Sequence, residues 1–415
     1  MKLRFFGLAG MLLIATTVAV SGPVPTPPDM NVVATNSFNT LVLDIQKNNP
    51  AVLAAEAALD AAQANLEAAD RPLYNPSLEL DAENTDIKTT TLGISQTIDW
   101  ADKRQARYRL AETELLAAEA ELALVRRELA VEVLTSLAQY QMMFKQRELA
   151  VRRSQLMQAF ADTAKQRLLA GDVSQLDIAL ARVAYTEARM QQGSAEANLI
   201  SFDAALRAVS GEKKSLWPSL PDALPQLVNK MNLQALISRL PEIIIQQSQY
   251  DNAKARIDVS KRERRADPTI AIRGGREDDE NLFGLSLEIP LFIRNSFRAE
   301  VRVASQEALQ AEQVLMESRR RSLARLEGAI ASYRVAAATW ESWLGTGQSS
   351  LNEQVNLLEK LWQAGELSAT DYLIQSRQNV EIQSTAAELT GQVWLAAIEW
   401  LAASGTIDEW LKQAK

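Results

Sequence analysis

The chain contains no cysteine and no histidine. Without thiols there are no disulfides and no thiolate nucleophiles; without imidazoles, the usual general base and the commonest metal ligand are gone too. Aromatic residues make up 6% of the 415 positions. A net charge of -8 offers no basic footprint for nucleic acid. Beyond the N-terminus no apolar run reaches the length of about 18 residues that a membrane helix needs. From Asp102 to Ala170 there is neither glycine nor proline. No nucleophile-base pair, phosphate loop or metal-ligand cluster emerges, so the expectation is a protein that is not an enzyme, with no cofactor and no metal site. "RGGREDDEN" at 273–281 reads as a loop between strands, since four acids follow the arginine-glycine unit.

What is present is long-helix composition: alanine, leucine, glutamate, arginine and glutamine dominate extended stretches. The N-terminus carries Lys2 and Arg4, then an apolar run from Phe5 to Val20, then small residues at Ala19, Ser21 and Gly22. This is the layout of a secretory signal peptide, expected over 1–22. A second feature is internal duplication. "AGDVSQLD" at 170–177 returns as "AGELSATD" at 364–371. "YNPSLEL" from Tyr74 parallels "ADPTIAI" from Ala266, and "LGISQTI" from Leu92 parallels "FGLSLEI" from Phe283. The expected organisation is an N-terminal extension and first helix at 23–47, repeat 1 at 48–211, a proline-containing connector at 212–238, repeat 2 at 239–405 and a tail at 406–415.

Each repeat reads as a helix of about six turns, two short strands, a very long helix, a turn and a returning helix. A continuous helix over 102–170 would reach about 100 Å. The second long helix, 295–364, is interrupted by Gly345 to Gly347, where a kink or register change is expected. The repeated phrase fits a tight helix-to-helix turn. Gly171 and Gly365 fit left-handed C-caps, Ser174 and Ser368 fit N-caps, and Asp177 and Asp371 complete capping boxes.

The strands alternate. Leu78, Leu80 and Ala82 interleave with Glu79, Asp81 and Glu83; Leu92, Ile94, Ile98 and Trp100 with Gly93, Ser95, Thr97 and Asp99; Phe283, Leu285 and Leu287 with Gly284, Ser286 and Glu288. Such strands match the length and pattern of outer-membrane strands. The alternative is an ordinary sheet covered by helices, which leaves the long rods unexplained. Four strands are too few to close a membrane-spanning barrel, and an open edge in lipid leaves unpaired amides, so several copies must share one barrel. Three copies give twelve strands, with twelve helical segments in a hollow cylinder below.

The organisation resembles the TolC family of outer-membrane efflux proteins. The carriers are "NNP" near Asn48, "NPSLEL", "LGISQTI", "FGLSLEIPLF" and the paired turns, in that order across the mature chain. The heavy-metal branch, handling cobalt, zinc and cadmium or copper and silver, is the most similar. The resemblance implies a mainly α fold with a small β part: a homotrimer whose outer-membrane β-barrel, four strands per chain, continues as a long periplasmic α-helical barrel built from the two tandem repeats. It implies as partners a periplasmic adaptor, an inner-membrane pump of the resistance-nodulation-division type and outer-membrane lipid, with no nucleic acid. The place implied is the outer membrane of a Gram-negative bacterium, with most of the chain in the periplasm. Some relatives bear an N-terminal lipidated cysteine, which this sequence lacks.

The site residues implied fall in three groups. Adaptor docking is expected at the tip turns, with Gly171, Asp172, Gly365 and Glu366. An entrance constriction is expected beside the second turn. The family's first constricting aspartate aligns with Asp371 and its second with Ile374, its gating tyrosine with Trp362 and its gating arginine with Leu367; Asp177 holds the matching place in the first turn. The barrel lumen is expected to carry Glu79, Asp81, Glu83, Asp99 and Glu288. The function implied is passive conduction of substrate, heavy-metal cations foremost, from pump and adaptor to the exterior. Drug efflux or type I protein secretion is the alternative within that class. A periplasmic helical adaptor is the alternative outside it, and it should show one hairpin flanked by glycine-rich β-domains rather than two hairpins interrupting strand pairs.

Overall fold

The first described helix, α1 (Phe38–Asn48), buries Leu41, Val42 and Ile45 along one face. The structure is a computed structural model that describes residues 38–212, 217–221, 223–227 and 232–413. The expected signal peptide lies outside these residues.

After α1 the chain enters α2 (Pro50–Ala69), where Asn49 accepts from the Ala51 N–H at 2.8 Å and Pro50 fills the first turn, whose amide needs no partner. Strands β1 (Ser77–Asn84) and β2 (Lys88–Thr97) follow, then α3 (Lys103–Ala170), an unbroken helix of 68 residues. Helix α4 (Gln175–Ser210) returns antiparallel to it. Past α5 (Leu233–Ile237) the order repeats: α6 (Pro241–Glu263), β3 (Thr269–Glu277), β4 (Glu280–Glu288), α7 (Arg298–Ser342), α8 (Gln348–Gln363), α9 (Ala369–Ser404) and a closing α10 (Ile407–Gln413). Between α7 and α8 lies a single π-helical turn, Trp343–Gly347, at the glycines where the sequence predicts a register change. The Trp343 ring occupies the space that a Cβ on Gly347 would need, so a side chain there would force the ring out.

The four strands form one antiparallel sheet in the order β1-β2-β3-β4. The junction of the two repeats is therefore the β2-β3 pairing, where Gly93 faces Arg273 and Ile94 faces Ile272. The Asp278 carboxylate accepts from the Lys88 N–H at 3.0 Å, and the Asp278 N–H donates to the Lys88 carbonyl at 2.8 Å, which joins the tips of the two hairpins.

The main core gathers helices from both repeats. Leu134 and Leu137 of α3, Leu206 of α4, Leu240 and Ile243 at the start of α6, Leu326 of α7, and Ile398 and Leu401 of α9 are all buried together, with Trp217 and Leu220 of the connector. Burial of each such side chain contributes about 1.5–3 kcal/mol relative to exposure. Tyr333 stacks on Trp400 with ring centroids 5.3 Å apart and donates to the Pro225 carbonyl, so the connector is fixed to α7. A second, separate cluster lies at the turn end: Met157, Phe160, Ala164, Ile178, Ala181, Ala188, Trp362 and Tyr372.

Candidate functional site

The sheet is inside out by the standard of a water-soluble domain. Its apolar face is exposed: Leu80 is 72% accessible, Phe283 79% and Leu285 71%. On the polar face Thr91 and Ser95 are buried. The pairing aligns the faces across strands. Leu78 faces Ile94, which faces Ile272, which faces Leu285. One strand position over, Glu79, Gly93, Arg273 and Gly284 form a row on the opposite face. Apolar groups contribute by leaving water, so a broad exposed band of them marks contact with lipid or protein. Glu79, Asp81, Glu83 and Glu288 share the polar face, as the alternation predicts.

Asp99 departs from its expected place. Strand β2 ends at Thr97, and the Asp99 carboxylate accepts from the Lys103 and Arg104 N–H groups at 2.7 and 2.8 Å. It caps α3, whose first amides otherwise lack partners, and this corrects its assignment to the lumen row. Beside it, Asp267 accepts from Lys103 Nζ and from the Tyr74 hydroxyl, each at 2.8 Å, and is nearly inaccessible. Burial foremost, and then the bond to Asp267, pushes the Tyr74 hydroxyl up to about 12. This joint ties the foot of the sheet to α3.

At the other end the two turns form as the repeated phrase predicts. Gly171 and Gly365 adopt φ of 84° and 79°. The Asp172 N–H donates to the Arg167 carbonyl at 2.9 Å and the Glu366 N–H to the Leu361 carbonyl at 3.0 Å, closing a Schellman cap on each helix. Ser174 and Asp177 form a full capping box, and hydrogen bonds from Ser174 hold the Asp177 carboxyl below its ordinary range. The Ser368 hydroxyl accepts from the Asp371 N–H at 3.1 Å and lies 2.6 Å from the Asp371 carboxylate, so the second turn keeps the cap on the amide. Asp172, Gly365, Glu366 and Asp371 are exposed, and Asp177 is half-buried.

Trp362 and Leu367 sit beside the second turn, with their side chains turned inward. Trp362 is 5% accessible, packed 5.0 Å from both Phe160 and Tyr372, and Leu367 packs against the same cluster. In the chain their side chains hold the two hairpins together. Sequence reasoning missed Arg167, which lies on the Trp362 ring and donates to the Trp362 carbonyl at 2.8 Å. Nothing at its position marks it, because its partner lies 195 residues away.

Among the described residues no helix is long and apolar enough to cross a membrane, and no group of three acids could hold a metal ion. Residues 41–212 match the family model described as "Outer membrane efflux protein". The chain is 24% identical over 386 residues to the cobalt-zinc-cadmium resistance protein CzcC of Cupriavidus metallidurans, covering 91% of this chain and 89% of that protein. The fold matches that of CusC, whose structures concern folding and transmembrane channel formation, with a TM-score of 0.75 at 17% identity, covering 89% of this chain and 92% of that one. It also matches the outer membrane channel CmeC of Campylobacter jejuni, with a TM-score of 0.73 at 13% identity, covering 91% and 89%. A third match is the outer membrane protein VceC of Vibrio cholerae, with a TM-score of 0.71 at 16% identity, covering 89% and 96%.

Proposed function

We propose that this chain is an outer membrane efflux protein, as the match over residues 41–212 supports, and that it is the outer-membrane duct of a heavy-metal efflux assembly, passing divalent cations from an inner-membrane pump to the exterior. The observation that carries the membrane placement is the inverted sheet: exposed leucines and phenylalanine on one face, acids on the other, and an unpaired edge on both β1 and β4. An unpaired backbone group in hydrocarbon costs several kcal/mol, so the edges close only against other copies. Channels of this family form trimers and work with an adaptor and an inner-membrane pump. A pump of the resistance-nodulation-division type is the partner proposed here.

The residues then take the following roles. Glu79, Asp81, Glu83 and Glu288 line the lumen, and threefold repetition turns each into a ring that concentrates cations. Gly171, Asp172, Gly365 and Glu366 form the exposed tip that an adaptor hairpin meets. Asp177 and Asp371 combine their capping role with a ring of charge at the entrance. The cargo proposal draws support from the similarity to CzcC, named for cobalt-zinc-cadmium resistance.

The test is complementation in a strain lacking its own duct, with the cognate pump and adaptor supplied. The expected result is restored growth on cobalt, zinc or cadmium, with the protein in outer-membrane trimers. Restored resistance to organic drugs alone, with no effect on metals, assigns the drug-efflux alternative instead. Secretion of a protein substrate with neither resistance assigns the type I conduit.

A further inference from the structure

The two glycines in the polar row flank its arginine. A Cβ on Gly284 would lie 2.8 Å from Arg273 Nε and 3.0 Å from its Cγ, so the arginine side chain runs across the bare backbone of β4. A Cβ on Gly93 would meet the root of that side chain, at Arg273 Cβ, and the Ile272 carbonyl, each 3.2 Å away. The guanidinium end therefore leans away from Glu79 of its own chain and towards the open edge of the sheet. The side chains of Arg273, Glu79, Asp81 and Glu83 form no hydrogen bond or ion pair among the described residues. Four charged groups at the margins of one sheet are left without partners, with the positive one beside the β4 edge and the negative ones on the β1 edge.

We infer that Arg273 reaches over Gly284 to a carboxylate on β1 of the adjacent copy, Asp81, and that this ion pair sets the seam between copies. The inference rests on the reading of the sheet as one share of a common barrel. Adjacent strands lie about 4.8 Å apart, so a group two strands from Arg273 is in reach of an extended arginine that meets no side chain on the way. Arginine suits the task because its planar fork binds a carboxylate in two places, which a lysine cannot do.

The duplication supplies the register. Gly93 and Gly284 are second in the paralleled segments from Leu92 and Phe283, and Asp81 and Arg273 are each the fifth residue after a paralleled proline, Pro76 and Pro268. Within the chain, repeat 1 meets repeat 2 with Gly93 opposite Arg273. The same junction between copies sets Gly284 opposite Asp81 of the next copy, and Ser286 opposite its Glu79. A slip by one residue would turn the apolar face into the lumen. A slip by two would bring Glu79 or Glu83 to the glycine, so the acid row tolerates error while Asp81 marks the repeat register.

The absence of cysteine makes the seam testable without background. Paired changes Glu79→Cys with Ser286→Cys leave Arg273, Gly284 and Asp81 intact. On oxidation in outer membranes they should give linked copies up to a covalent trimer. Pairing Ser286→Cys with Ser77→Cys or with Asp81→Cys should link far less. If either of these links best, Asp81 is not the partner; if none links while trimers are present, the seam is wrong but the channel reading stands. Absence of trimers from the unmodified protein defeats the channel reading itself. The charge is tested by mixing. Arg273→Glu and Asp81→Arg chains, each produced alone, should lose SDS-resistant trimer. Produced together with different tags, they should recover it as mixed trimers, since opposite charges then meet at most seams. Failure to recover overturns the ion pair between copies.

Discussion

Arg167 of the first hairpin donates through Nη2 to the carbonyl of Trp362 in the second, at 2.8 Å, with its guanidinium carbon 4.3 Å from the centre of the same residue's indole ring. One side chain thus satisfies a carbonyl in the last turn of α8 and covers an aromatic face. The two contacts together place the tips of both hairpins side by side. Arg167→Ala should loosen them by about 2 kcal/mol, combining a charged hydrogen bond with a cation-π contact. Hydrogen exchange over 165–178 and 360–372 should accelerate, and single-channel recordings should show more frequent opening. Unchanged exchange in both segments assigns the coupling to the aromatic cluster alone.

Gly171 offers a cleaner case. A Cβ there would meet nothing within 4 Å, so the cost of Gly171→Ala is confined to its φ of 84°. That cost is about 1–2 kcal/mol for a left-handed residue with a side chain. The expected outcome is reduced adaptor crosslinking and reduced metal resistance at normal trimer levels. Full resistance together with full crosslinking would place the docking surface away from this turn.

The joint at the foot of the sheet has a pH signature. The Tyr74 hydroxyl is raised from 10.0 to about 12, by burial first and then by its bond to Asp267. The folded protein keeps that proton over a range in which the unfolded chain has lost it. The stability is complete below pH 10 and is lost as pH rises through 12. Tyr74→Phe should lower stability near neutrality by about 1 kcal/mol, the worth of one hydrogen bond, and should remove this alkaline step. Thermal melts of the trimer between pH 8 and pH 12, run on both proteins, compare the two. Parallel alkaline curves would locate the titrating group elsewhere.

At the tip the sign is opposite. Hydrogen bonds from Ser174 hold Asp177 below its ordinary value of 3.8. The cap is therefore intact above that value and lost as pH falls below it. Proteolysis of the first turn should increase in strong acid, and Ser174→Ala should move its onset to higher pH. Identical onsets in the two proteins would show that the box does not guard the turn.

The polar face predicts a cation bias in planar bilayers. It should be stronger at low salt, where screening is weaker. Changing Glu79 and Glu83 to glutamine and Asp81 to asparagine should move the reversal potential towards zero or past it. A wild-type preference for anions would reverse the assignment of the two faces.

Much of this was legible in the sequence because it depends on near neighbours. A helix without glycine or proline, a glycine at a left-handed C-cap and a serine three residues before an aspartate are governed by contacts within one or two turns. They formed at 103–170, at Gly171 and at Ser174 as predicted. The duplication and the strand alternation carried the same local logic up to the level of the fold, since parity along a strand settles which side chains share a face.

The tertiary structure decided what depends on segments meeting across the chain. Alternation placed Asp99 in the acid row, but the strand ended two residues earlier and the unpaired amides of α3 claimed its carboxylate. Alignment gave no sign that Phe160 and Tyr372 close over the Trp362 ring, which stabilises the turn end by taking a large aromatic out of water. Arg167 gave no sign of its role, and neither did the lean of Arg273 over Gly284. Charge and spacing say that an arginine is present. Only the packing of strands and hairpins distant in sequence determines which way it reaches.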